Sequence, residues 1–145
     1  MTAAMNTRVQ AATQSSAASG SRGRVWTGRV LSSLAVLFLL FDSTGKFFKP
    51  APVVEGFARL GFPLSLSVAI GTILLACTVL YAIPRTSVLG AILLTGYLGG
   101  AVASQLRAGE PLLGYVLFPV YFGVLVWGGL WLRHDRVRHL IFPRN

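Results

Sequence analysis

The sequence has few acids, a single cysteine and no catalytic signature. Its 145 residues include 4 Asp or Glu against 13 Lys or Arg, and only 12% of the chain is charged. A soluble domain carries about a quarter charged residues, so this shortage argues against one. Cys77 stands alone, which excludes an intramolecular disulfide and a C-x-x-C redox pair. There is no P-loop, no G-x-G-x-x-G, no H-E-x-x-H and no G-x-S-x-G, so no nucleotide, zinc or serine chemistry is indicated. The chain is not expected to be an enzyme on its own. The two histidines, His134 and His139, lie among arginines near the C-terminus with no ligand cluster around them, so no metal site is expected.

What is present is apolar. Hydrophobic residues make up 54% of the chain, and the mean hydropathy is +0.67. Four apolar segments follow one another, at about 28–48, 64–83, 87–106 and 111–132. The last three each hold about 20 residues, enough to span ~30 Å of hydrocarbon as helix. They are too long and too uniform for strands. "IPRTS" and "RAGEP" are short breaker-rich links, which make the second, third and fourth helices antiparallel neighbours. The expectation is an all-α integral membrane four-helix bundle.

Between the first two spans lies "KPAPVVEGFARLGFP". Val53, Val54, Phe57 and Leu60 recur at helical spacing, and Glu55 and Arg59 stand four apart. This reads as a short amphipathic interfacial helix, begun near Pro52 and stopped near Gly61 to Pro63. Residues 1–24 are rich in Ala, Ser, Thr and Gln without aromatics, and are expected to be disordered. Residues 25–134 form the membrane domain, and 135–145 a basic tail. No small-x-small cleavage site follows the first apolar run, so that helix is expected to be retained.

Lys and Arg gather at the two ends and outside the apolar runs. That placement fits membrane anchoring and disfavours a nucleic-acid partner. It predicts a bacterial cytoplasmic membrane protein with both termini cytoplasmic. Trp26, Trp127 and Trp131 near the inner ends fit an aromatic belt.

The first span carries the sharpest anomaly. Val30 to Phe41 rises only ~18 Å, too little to cross. The span must therefore include "DSTGKFF", which places Asp42 inside the outer hydrocarbon and Lys46 near the outer interface. Lys46 follows Asp42 by one turn, in the favourable acid-before-base order. An ionisable residue at that depth faces the bundle interior by default. Glu55, Arg59, Tyr97, Gln105 and Arg107 belong to the same outer half, and with Asp42 and Lys46 form the candidate ligand or partner site. The small residues Gly96, Gly100 and Ser104 recur every four positions and are expected to pack helices together.

The blocks "FDSTGKFFKP", "VVEGFARLGFP", "AIPRTSVLGAILLTGYLGGAVASQLRAGEP" and "WGGLWLRHDRVRHLIFP" resemble the DoxX-like family of small bacterial membrane proteins. The resemblance runs from Val30 to Pro143, and "PRTSVLGAILLTGYLGGAVA" is its most specific part. It implies four transmembrane helices. It also implies links to quinone and sulfur redox subunits and to oxidative-stress complexes, with membrane chaperones among distant relatives. Quinone is thus the one cofactor candidate, and a membrane or redox protein the candidate partner. Many members carry His where this chain has Gln105, which hydrogen-bonds but does not titrate.

Overall fold

The computed structural model describes the backbone of residues 2–134 and 137, and side chains from residue 22 onward within that range. The elements are α1 (Thr2–Phe48), α2 (Ala51–Leu60), α3 (Leu66–Ala82), α4 (Ser87–Arg107), a π-helical turn (Leu112–Val116) and α5 (Phe118–Arg133). No strand occurs among the described residues. The backbone of α1 is helical from Thr2 onward, and the repeated alanines of its first part favour helix intrinsically. The tail lies outside the described residues except for Val137, which is packed into the core at 5% exposure.

α1 packs against α3 and α5, and α4 packs against the same two. The four helices form a ring with α1 and α4 diagonally opposite. One end of the ring carries the start of the α1 span, the α3–α4 turn and the end of α5. We call it the termini end. The other carries α2 and the α4–α5 link, and is called the strap end.

Each helix turns a narrow stripe inward. On α1 it is Gly28, Ser32, Ala35, Leu39 and Ser43; on α3 it is Ser67, Gly71, Leu74, Thr78 and Tyr81. The outward faces are as apolar as the core. Leu37, Phe41, Ile73, Ile92 and Val124 are all more than half exposed. Water would not tolerate so much apolar surface, whereas lipid matches it. Hydroxyls on these helices bond back to their own backbone, as Thr72 does to the Val68 carbonyl and Thr95 to that of Ala91. No polar group there then needs water.

Three segments are long and apolar enough to cross a membrane: Arg22–Phe48, Ser87–Arg107 and Leu112–Arg133. The second expected span, 64–83, is shorter than expected. α3 has 17 residues, Leu66–Ala82. Residues 63–65 are spent in a turn, with the Leu66 amide donating to the Pro63 carbonyl. At the far end Ile83 is extended, as a residue before proline must be. The fourth span also departs from a simple helix. Pro119 has no amide to donate, and α5 proper starts at Phe118. The preceding turn closes by five-residue bonds, from Val116 to Pro111 and from Leu117 to Leu112.

Close helix approaches do not use the expected small-residue stripe. A Cβ at Gly96 or Gly100 would meet nothing within 4 Å, and Ser104 bonds its own Gly100 carbonyl. These residues face out of the ring. The contacts fall instead on Gly28 and Gly129 between α1 and α5, on Gly71 between α1 and α3, and on Gly90 between α3 and α4. A Cβ at Gly90 would fall on the backbone of Leu80 and Tyr81.

Candidate functional site

The inward stripe of α1 continues from Leu39 to Asp42 and Lys46, at steps of three and four. The Lys46 ammonium donates to the Asp42 carboxylate at 2.5 Å. The strap-end half of α1 is stitched to α3 around this pair. Ser43 donates to the Gly71 carbonyl at 2.8 Å, and Ser67 donates to the Lys46 carbonyl at 2.5 Å. Gly71 makes this possible, because any Cβ there would press on the Lys46 Cβ at 2.9 Å. Of the two, Lys46 is the better covered by protein, with 12% of its side chain exposed against 39% for Asp42.

Asp42 lies within electrostatic reach of Tyr97 on α4, the helix diagonally opposite. Tyr97 packs against the core. Gln105 lies two turns further along the same face of α4, half-buried, and its side chain makes no hydrogen bond among the described residues. Lys46 and Tyr97 are thus covered within the strap-end half on opposite helices, with Gln105 half-buried on α4 and the Asp42 side chain 39% exposed.

Glu55, Arg59 and Arg107 belong to a separate layer above it. α2 is a strap with Phe57 its one buried residue. It leaves α1 through Lys49, whose φ is +50°, and ends at Gly61, whose φ is +69°. The second position suits glycine because a Cβ is strained in the left-handed region. Val53 rests beside Gly45 of α1. At the other side Arg107 donates to the Leu60 carbonyl at 2.7 Å and sits over the Phe62 ring at 5.6 Å. Arg59 stands four residues from Glu55 on the same helix. It reaches Glu110 instead at 3.8 Å and covers the Tyr115 ring at 4.8 Å. Hydrogen bonding to Tyr115 raises the pKa of Arg59, and Glu110 and Glu55 add to it through charge. The seven candidate residues thus divide into an inner set of four and a strap set of three.

A groove of about 370 Å³ runs between α4 and α5, lined by Leu98, Gly99, Val102, Val120, Gly123 and Val124 among others. None of the candidate residues lines it. Trp127 borders it and donates to Thr95 at 2.8 Å. Its apolar wall suits a hydrocarbon chain rather than a polar head.

Sequence reasoning missed a second polar node, near the termini end. Tyr81 donates to the Val126 carbonyl at 2.8 Å, so Ser32 donates to the Tyr81 hydroxyl at 2.9 Å. This chain of bonds ties α1, α3 and α5 together. The signal in the sequence was Ser32-Ser33 interrupting an apolar run, opposite a tyrosine at the end of the next span. No group of three or more His, Cys, Asp or Glu that would hold a metal exists among the described residues.

No curated protein and no solved structure matches the chain. A family model does, over residues 30–129, from the middle of the first span to the Gly128-Gly129 turn of α5. That interval contains the ion pair, the strap and the whole of α3 and α4, and the chain belongs to the DoxX-like family.

Proposed function

We propose that this membrane protein is an accessory or binding subunit of a quinone-linked redox system, with the polar head of the quinone held by Asp42, Lys46, Tyr97 and Gln105. The observation that carries the reading is a charged pair within the apolar first span, with Lys46 covered by protein and Asp42 within electrostatic reach of Tyr97. An ionisable pair at such depth is costly, and such residues usually mark a ligand or ion path. The donor set fits a quinone. Lys46, Tyr97 and Gln105 supply N–H and O–H donors for carbonyl oxygens, and Asp42 accepts from the hydroxyl of a quinol. Gln105 has an amide free for this task.

In this reading α3 is a fourth span. Its 17 residues rise ~25 Å as helix, a modest mismatch that local thinning absorbs. The Lys and Arg excess at the termini end supports a bacterial cytoplasmic membrane with both termini cytoplasmic. The test is quinone titration of the purified protein in detergent. Asp42→Asn and Gln105→Leu should each weaken binding about tenfold, the worth of one hydrogen bond. Unchanged affinity in both would remove the site.

A second reading is a non-catalytic membrane chaperone or structural partner. The outward stripe of Gly96, Gly100 and Ser104 favours it, since close approach by a foreign helix meets no side chain there. Crosslinking in membranes separates the two. Recovery of the monomer alone would count against this second reading.

A further inference from the structure

The termini end contains a cation that the quinone reading does not use. Arg133, the last residue of α5, lays its aliphatic stem against Gly28 of α1. Its guanidinium sits over the Tyr81 ring of α3 at 5.5 Å. Nε and Nη2 are both buried, and neither has a hydrogen-bond partner among the described residues. A guanidinium keeps its charge at every accessible pH. Contact with the ring face compensates only in part. A buried charge with no acceptor is strongly destabilising, and each such group calls for an explanation.

Among the described residues the acids are Asp42, Glu55 and Glu110, and all three lie in the strap-end half or beyond. The neighbouring His134 is pushed below its ordinary pKa, first by burial and then by Arg133, so it supplies no anion. Its ring faces Ser87 at 3.5 Å, which is neutral. Nη1 is the remaining nitrogen of the guanidinium. It is not enclosed as the other two are, and the half-buried side chain meets its surroundings there.

We infer that Arg133 holds the phosphate of an anionic membrane lipid, clamped between the ends of α1, α3 and α5. The ring of Tyr81 fixes the plane of the guanidinium, so its open edge is presented at headgroup level. Basic pockets between membrane helices take anionic headgroups by this chemistry. Planar donors suit phosphate better than an ammonium does. Free phosphate offers the same oxygens, and the test separates the two sources.

The full chain is purified in a neutral detergent and titrated with phosphatidylglycerol, phosphatidylcholine or inorganic phosphate, with binding read by native mass spectrometry and thermal shift. Phosphatidylglycerol should bind the parent protein and raise its melting temperature, and phosphatidylcholine should not. Arg133→Gln should weaken phosphatidylglycerol about tenfold, as loss of one charge-assisted contact implies. Arg22→Gln, at an exposed arginine of α1, should leave it within about twofold. Arg133→Lys keeps the charge and guards against a folding defect; it should fall between the two. Stabilisation by inorganic phosphate equal to that by the lipid would assign the site to the phosphate group alone. Stabilisation by the lipid only would assign it to the headgroup in its bilayer position. Equal affinity for phosphatidylglycerol in the parent, Arg133→Gln and Arg133→Lys would overturn the assignment, as would equal binding of phosphatidylcholine and phosphatidylglycerol to the parent.

Discussion

Tyr81 shows how much rests on single polar atoms in this bundle. Its hydroxyl is both donor and acceptor, to Val126 and from Ser32, on a fully buried side chain. Tyr81→Phe leaves the ring and removes the node, taking the partner of the buried Ser32 hydroxyl. The expected loss is about 1–3 kcal/mol, the cost of an unmet buried polar group, measured by unfolding in mixed detergent. His134 makes a prediction in pH. Burial and Arg133 depress its folded pKa below 6.5. The neutral form therefore favours the fold, with this contribution complete above the unfolded pKa and lost as pH falls through the folded one. The melting temperature should drop between pH 8 and pH 5, and His134→Gln should flatten that drop. A slope unchanged by the substitution would assign it elsewhere, His139 included.

At the scale of elements, glycines report which helix faces are in contact. Gly90→Ala forces a methyl into the backbone of Leu80 and Tyr81, and overpacking of this kind costs about 3 kcal/mol. Gly96→Ala has open space and should stay within about 0.5 kcal/mol of the parent, as substitutions away from contacts do. Thermal unfolding of the two variants side by side checks the difference. Here the sequence misleads for a physical reason. Gly96, Gly100 and Ser104 carry the pattern of a close helix pair, but pattern alone does not say which way a stripe points. Gly71 and Gly90 make real contacts, and neither belongs to a run of three small residues like that of Gly96, Gly100 and Ser104. The strap was legible in its limits, since Pro52 and Gly61 bracket it. Its latches were not, because Arg59 chooses Glu110 and Tyr115 from a link fifty residues away over Glu55 on its own helix. Arg59→Gln should weaken the strap by under about 1 kcal/mol, since exposed ion pairs contribute little. Faster amide exchange in α2 with unchanged exchange in α3 would display it.

Over the whole molecule, composition and run length were enough to give an all-helical membrane bundle, because apolar length is a direct consequence of bilayer thickness. Three long segments meet that requirement in the structure, and the fourth helix is shorter because a turn at Pro63 and the extended residue before Pro84 trim both its ends. The count that placed Asp42 within the first span rests on the same length argument. The degree of cover did not follow from it, since Lys46 is the better covered partner only through Gly71 and Ser67 on another helix. The central claim is that this pair forms a polar site within the bundle, shielded from bulk water beneath the strap. The chain contains two lysines, Lys46 and Lys49, three residues apart. The most direct measurement is acylation by a membrane-impermeant amine reagent added to sealed and opened membrane vesicles, read peptide by peptide. Lys49 should be modified and Lys46 spared, with Lys46 becoming reactive in Asp42→Asn. Equal modification of the two lysines in the parent protein would contradict the claim.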